Sequence, residues 1–158
     1  MRFNHRILSI LVVFSLSPLT QAGDFIEVYK SITVDKSVEE VWKSVGDFCA
    51  IQDWHPAIEK CKAYDDHGSL YRTLTLGDGG TISEKHGGED ANSYTYFIKS
   101  GLPVKPYKST FKAESDGAST TITWNSRFKA KGITDAEAKE LIEGIYDAGL
   151  ASIAEMLK

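Results

Sequence analysis

The sequence predicts an α+β domain in which one curved antiparallel sheet of seven strands wraps around a long C-terminal helix. Two observations predict this class. Strand-like segments separated by turn residues fill most of the chain, and a single long amphipathic segment follows them. The 158 residues are 42% hydrophobic, which favours one folded domain over two small ones or a disordered chain.

The first predicted elements are a strand and two short helices. Residues 25–34 alternate in hydrophobicity and are rich in β-branched side chains, which is typical of a strand. Ser37 and Glu40 form a capping box that predicts the start of a helix. Residues 48–53 could form a second short helix, which ends before His55-Pro56 because the residue before a proline avoids helical backbone angles.

Six more strands are predicted between these helices and the end of the chain. They cover residues 58–64, 70–76, 81–85, 93–99, 108–114 and 120–128. Clusters of Gly, Asp and His mark the intervening turns, for example residues 77–80 and 87–90. Spacing this short predicts an antiparallel meander.

The long helix is predicted from residue 134 onward. Thr134 and Glu137 form a second capping box, and apolar residues then recur every three or four positions from Ala138 to Leu157. This periodicity extends over about 24 residues, with one apolar face that the sheet can cover.

The N-terminal segment has the pattern of a secretory signal peptide. Arg2 and Arg6 precede the apolar run from Ile7 to Leu16, and Ala22 ends a small-residue cleavage site. The run is too short to cross a bilayer. We therefore expect residues 1–22 to be a signal peptide, residues 23–158 to be the mature domain, and the protein to be periplasmic or secreted. An uncleaved anchor is the alternative interpretation.

The net charge and the two cysteines restrict the classes of partner, cross-link and cofactor that we expect. The net charge of −4 disfavours nucleic acid, which binds clustered Lys and Arg. Cys49 and Cys61 lie twelve positions apart, and after export they could form a disulfide or remain a buried thiol pair. The sequence lacks metal-ligand spacings and cofactor motifs, so neither a metal nor a cofactor is expected.

Several strings resemble bacterial polyketide cyclase/dehydrase-like proteins of the START-related (SRPBCC) superfamily. They are residues 46–56 with Cys61, residues 72–76, 94–96, 101–104 and 107–110, Trp124, and residues 143–150. The resemblance spans the mature chain. It implies the helix-grip fold, with an apolar cavity between the sheet and the long helix.

The resemblance also extends, by pattern, to the plant abscisic acid receptors, and it implies two entrance loops. The gate loop of those receptors corresponds here to residues 77–80, which include Gly77 and Gly79. Their latch loop corresponds to residues 100–106, which include Gly101 and Pro103. We expect both loops to act as flaps at the cavity entrance.

Three polar residues are candidates for chemistry in that cavity. His55, within the string Trp54-His55-Pro56, could be a polar contact or a general acid/base, or it could simply bond to backbone beside a buried Trp54. Alternation places Glu84 on the same strand face as Ile82, and Arg72 on the same face as two leucines. An Arg72–Glu84 pair could therefore contact a ligand, be purely structural, or lie on the surface.

Aromatic residues complete the predicted ligand site. They are Trp54, Tyr94, Tyr96, Tyr107, Trp124 and Tyr146, and each could line the cavity or only pack in the core.

Two functions are consistent with these features. The favoured hypothesis is an exported protein that binds a small hydrophobic or amphipathic molecule or lipid, without stable membrane insertion once the signal is cleaved. The alternative is a cyclase/dehydratase-like enzyme that uses His55, Glu84 and Arg72. An accessory protein for another exported protein is a third hypothesis.

Overall fold

The computed structural model describes residues 24–158. The predicted signal peptide lies outside the described residues. The described elements follow in this order along the chain: β1 (Ile26–Val34), α1 (Val38–Val45), α2 (Ile51–Trp54), β2 (Ile58–Asp66), β3 (Ser69–Leu76), β4 (Thr81–Asp90), β5 (Ser93–Ser100), β6 (Val104–Ser115), β7 (Thr120–Ala130) and α3 (Asp135–Met156).

The seven strands form one antiparallel sheet in the order β1-β7-β6-β5-β4-β3-β2. Strands β2 to β7 are a meander, and β1 closes the order by pairing with β7, where Ile26 lies opposite Phe128. Helix α3 packs across the concave face, and the buried side chains of both elements form one core. The predicted helix-grip fold is confirmed.

Both predicted capping boxes are present. The Ser37 hydroxyl accepts from the Glu40 backbone N–H at 3.3 Å, and the Glu40 carboxylate accepts from the Ser37 backbone N–H. Thr134 and Glu137 repeat this arrangement at the start of α3. In both boxes the hydroxyl and the backbone N–H of the capping residue donate to the glutamate carboxylate, and these bonds lower the pKa of Glu40 and Glu137 because they favour the ionised form.

Three predicted boundaries differ most from the structure. Residues 87–90 belong to β4, which continues through Gly87 and Gly88 by means of a bulge. A Cβ at Gly87 would lie 2.5 Å from the Phe97 ring, so glycine marks a close approach there and not a turn.

Strand β6 begins at Val104 and not at residue 108, because Val104 pairs with Ala130 on β7. Helix α2 covers Ile51–Trp54 instead of residues 48–53. Residues 48–50 form a preceding turn, in which the Asp47 carboxylate accepts a hydrogen bond from the Cys49 backbone N–H.

A disulfide joins Cys49, in the turn before α2, to Cys61 on β2, with the Cα atoms 5.5 Å apart. The same two segments are joined by Gln52, whose side-chain oxygen accepts from the Cys61 backbone N–H at 2.9 Å. Together these contacts hold α2 against the edge of the sheet.

Within residues 24–158, no helix is long and apolar enough to cross a membrane. The same range contains no group of three or more His, Cys, Asp or Glu side chains placed to hold a metal ion.

Candidate functional site

A cavity of about 200 Å³ lies between helix α3 and the concave face of the sheet. Its wall is almost entirely apolar. The apolar lining residues are Ile51, Ala57, Ile58, Leu74, Leu76, Ile82, Ile98, Leu102, Leu141, Ile142 and Ile145. Alternation on β3 and β4 and the helical period of α3 aim these side chains at the same space.

Glu84 is the charged residue on this wall. Its Oε2 accepts from Arg72 Nε at 2.6 Å, and 5% of its side-chain surface stays accessible. The two residues face each other in the register of β3 and β4. The structure therefore forms the predicted Arg72–Glu84 pair inside the domain and brings its acidic member to the cavity.

Arg72 lies behind the wall and does not line the cavity. Its side chain is fully buried, and Nη1 donates to the Phe48 carbonyl oxygen. Its Cζ lies 4.0 Å from the Phe48 ring centroid and 5.3 Å from that of Tyr96, as in cation–π contacts. The guanidinium is thus held by Glu84, a backbone carbonyl and aromatic faces.

For both Arg72 and Glu84, burial and pairing shift the pKa in opposite directions. Burial raises the pKa of Glu84, and the guanidinium of Arg72 partly offsets this effect. Burial lowers the pKa of Arg72, but the charge and hydrogen bond of Glu84 and the charges of Tyr94 and Tyr96 together outweigh burial, so the pKa of Arg72 is raised. Arg72 therefore stays cationic at neutral pH. Its Nε lies 2.6 Å from Oε2 of Glu84, where it stabilises the ionised carboxylate.

Both ring nitrogens of His55 are engaged by the backbone. The Ala57 N–H donates to Nδ1 at 3.2 Å, so the proton of the neutral ring lies on Nε2, which donates to the Ile145 carbonyl oxygen at 3.0 Å. Burial lowers the pKa of His55 because it disfavours the charged ring. His55 lines the cavity but fixes α3 against the segment after α2.

Gly149 makes that close contact between α3 and the aromatic wall possible. A Cβ at this position would lie 2.8 Å from His55 Cδ2 and 2.9 Å from the Trp124 ring. Trp124 in turn stacks on Tyr146, with the ring centroids 4.2 Å apart. Glycine is thus required here by the space between helix and sheet.

A chain of hydrogen bonds runs along one side of the cavity. Trp124 Nε1 donates to the Tyr96 hydroxyl at 3.0 Å, and the Tyr96 and Tyr107 hydroxyls lie 3.5 Å apart. The Tyr107 hydroxyl contacts that of Tyr146, which lies 2.9 Å from Ser109 Oγ. Burial raises the pKa of all three tyrosines, so the phenols stay protonated at neutral pH.

The cavity lies next to an open groove on the outside of α3. The two share His55, Ala57, Leu141 and Ile145, and this boundary is the mouth of the cavity. Ala57 and Leu141 are exposed there. Glu137 and Glu140 line the outer groove.

The predicted entrance loops sit beside the cavity, and their glycines are not part of its wall. Leu76, just before Gly77, and Leu102, just after Gly101, line the cavity instead. Gly101 has a φ of +101°, and a Cβ there would collide with the Thr81 carbonyl oxygen. Gly101 is therefore packed directly on Thr81 and Ile82 of β4, and residues 104–106 of the predicted loop belong to strand β6.

The structure brings most of the predicted site residues to one cavity, namely His55, Glu84, Tyr96, Tyr107, Trp124 and Tyr146. Trp54, Arg72 and Tyr94 were predicted to contact ligand, but they lie behind the wall in the core. Trp54 stacks on Phe111 at 5.4 Å between ring centroids, and Tyr94 packs edge-on against Phe48. Alternation assigned the correct strand face, but it carries no information on depth.

Sequence reasoning did not select the aliphatic wall residues as ligand contacts. The available signal was the parity that Leu74, Leu76 and Ile82 share with Arg72 and Glu84. The helical spacing of Leu141, Ile142 and Ile145 gave the same information for α3.

Comparison with protein families gives one match over nearly all the described residues. The model of the family described as polyketide cyclase / dehydrase and lipid transport matches residues 26–158. No curated protein matches the chain.

Solved structures show the same fold. XoxI from Bacillus cereus is 29% identical with a TM-score of 0.77, and the match covers 83% of this chain and 94% of that one. The Zhui aromatase/cyclase from Streptomyces sp. R1128 is 19% identical with a TM-score of 0.68, over 84% and 93% of the two chains. A START superfamily protein from Mycobacterium smegmatis is 20% identical with a TM-score of 0.68, over 83% and 96%.

Proposed function

Since the chain belongs to the polyketide cyclase / dehydrase and lipid transport family, we propose that it is an exported binding protein that holds one small apolar or amphipathic molecule between sheet and helix. The observation that carries the proposal is the apolar cavity of about 200 Å³ with Glu84 on its wall. Pockets with an apolar lining and few polar groups are typical of small-molecule sites.

The cavity size restricts the ligand. An engineered protein cavity of about 150 Å³ binds benzene, so a cavity of about 200 Å³ suits a single-ring or short-chain molecule. A two-chain lipid would extend far beyond the mouth at Ala57 and Leu141. The proposed ligand is therefore a small molecule, or one short acyl chain.

Export is supported by the sequence pattern of residues 1–22 and by the chemistry of the disulfide. Disulfides such as Cys49–Cys61 persist in the periplasm and outside the cell, whereas cytosolic thiols are kept reduced. An exported protein is separated from cytoplasmic biosynthetic enzymes. Ligand binding, unlike a step in cytoplasmic biosynthesis, does not depend on that compartment.

The alternative function is catalysis by a cyclase/dehydratase-like site, and Glu84 is the feature that favours it. A carboxylate on the wall of an apolar cavity can act as a proton acceptor. The other two residues of that hypothesis are occupied elsewhere, since His55 bonds to backbone through both nitrogens and Arg72 lies behind the wall. This arrangement favours binding over turnover.

Expression of the full chain in a bacterial host tests the proposal. We expect the protein in the periplasmic fraction, with an intact mass that lacks residues 1–22, and native mass spectrometry should show one bound small molecule per chain. Recovery at full mass from the cytoplasm would contradict export. A chain that binds no apolar molecule from organic extracts would contradict the binding function, and conversion of the bound molecule would favour the enzyme.

A further inference from the structure

The hydrogen-bond chain beside the cavity has a fixed direction. The backbone carbonyl oxygen of Asn125 can only accept a hydrogen bond. The Ser109 hydroxyl therefore donates its one proton to this oxygen, at 2.7 Å. Ser109 Oγ must then accept from Tyr146. With its proton used there, Tyr146 accepts from Tyr107.

The other end of the chain gives the same direction. The indole N–H of Trp124 can only donate, and it donates to the Tyr96 hydroxyl. Tyr107 has used its proton on Tyr146, so the Tyr96 proton points to Tyr107. The hydroxyl protons of Ser109, Tyr107 and Tyr146 are therefore used on close partners, and the Tyr96 proton is directed to Tyr107 over the longer distance of 3.5 Å. The tyrosine hydroxyls thus present mainly oxygen lone pairs to another molecule.

The remaining polar side chains on the wall offer no proton either. The one ring proton of His55 is used on the Ile145 carbonyl oxygen. Glu84 is paired with Arg72 through Oε2, and its carboxylate presents acceptor oxygens. The guanidinium of Arg72 lies behind the wall against Phe48; its Nη2 is buried without a hydrogen-bond partner among residues 24–158, and Arg72 is not among the residues that line the cavity.

We propose that the cavity selects an uncharged ligand that carries a hydroxyl group, and that this hydroxyl donates to the Glu84 carboxylate. The inference rests on the proposed binding function and narrows it to one ligand chemistry. The structural basis is the juxtaposition, on the cavity wall, of the Glu84 carboxylate with tyrosine and histidine side chains whose protons are directed to other protein atoms.

Other polar head groups fit this wall less well. A carboxylate would face Glu84 without a donor from the wall, and it would pass Glu137 and Glu140 in the outer groove. An ammonium group would bring a second cation to Glu84, whose charge Arg72 already balances from behind the wall, at a high desolvation cost. A group that only accepts, such as an ether, would face lone pairs.

Isothermal titration of the wild-type protein with four short-chain probes tests the inference. The probes are n-octanol, its isomer heptyl methyl ether, octylamine and octanoate. Because a hydrogen bond to a charged group is worth about 1.5–3 kcal/mol, n-octanol should bind about tenfold or more tightly than the ether. Octylamine and octanoate should both bind more weakly than the alcohol.

Glu84→Gln is the matched variant, because its amide oxygen can accept from Arg72 while its NH₂ group donates into the cavity. The preference should then shift from n-octanol toward the ether. Glu89→Gln, on the same strand but exposed, should leave the ratio unchanged. The wild-type ratio stands as a test even where Glu84→Gln does not fold.

The outcomes separate this inference from the function on which it rests. Equal binding of alcohol and ether, or preferred binding of octanoate or octylamine, overturns the donor selectivity and leaves the binding function intact. Binding of none of the four probes overturns the proposed binding function, and the selectivity with it.

Discussion

Glu84 accepts a hydrogen bond of 2.6 Å from Arg72 Nε and at the same time forms part of the cavity wall. The pair thus links the stability of the core to the chemistry of the cavity. Removing either charge therefore affects both the stability of the core and the chemistry of the cavity.

Arg72→Met should destabilise the protein by about 3–5 kcal/mol, because it leaves the buried Glu84 carboxylate without a partner. Urea unfolding followed by tryptophan fluorescence measures this cost. The double variant Arg72→Met/Glu84→Leu removes both charges and should be more stable than Arg72→Met alone. A double variant that is no more stable than Arg72→Met would show that the pair is not the source of the effect.

Two glycines of α3 give a matched pair of substitutions. Gly149→Ala should destabilise the protein by about 1–3 kcal/mol despite its better helix propensity, because the new methyl group overpacks against His55 and Trp124. Gly144→Ala meets open space and should stabilise by about 0.5–1 kcal/mol. Thermal unfolding of both variants checks the signs, and a stabilised Gly149→Ala would contradict the packing described for α3.

Stability should fall as the pH drops below about 6.5, the ordinary pKa of histidine. Burial lowers the pKa of His55 in the folded state, so the unfolded chain binds the proton more readily. The contribution is fully present above about pH 6.5 and is lost as the pH falls toward the folded-state pKa. Thermal unfolding between pH 7.5 and 5 should show this slope, and His55→Gln should flatten it. A His55 pKa of about 6.5 or higher, measured by NMR titration of the folded protein, would contradict this explanation.

Reduction of the Cys49–Cys61 disulfide should cost about 2–3 kcal/mol, since it frees a short loop in the unfolded chain. Chemical unfolding with and without reductant measures the difference. The variant Cys49→Ala/Cys61→Ala is the control, because its stability should not respond to reductant.

The sequence predicted the fold because its patterns are local. Capping boxes at Ser37 and Thr134 and alternation along each strand determine elements without reference to distant contacts. The end of β4 was missed because Gly87 can indicate either a turn or a close approach, and the contact with Phe97 that decides between them comes from the neighbouring strand.

The candidate site was predictable in composition and less so in depth. Parity placed Arg72 and Glu84 on the inner face, and the structure puts one behind the wall and the other on it. That difference depends on Phe48, which occupies the space over the guanidinium and belongs to a turn far away in sequence. The engaged ring of His55 likewise depends on the Ile145 carbonyl of α3.

The most direct test of the account is the binding of n-octanol to two tryptophan variants at the cavity mouth. Ala57 is exposed and borders both the cavity and the outer groove, whereas Ala148 is exposed and lines only the groove. Isothermal titration should show one site per chain in the wild type and in Ala148→Trp, and at least a tenfold loss in Ala57→Trp, whose ring closes the mouth. Equal binding by all three proteins would contradict the claim that the cavity between sheet and helix holds the ligand.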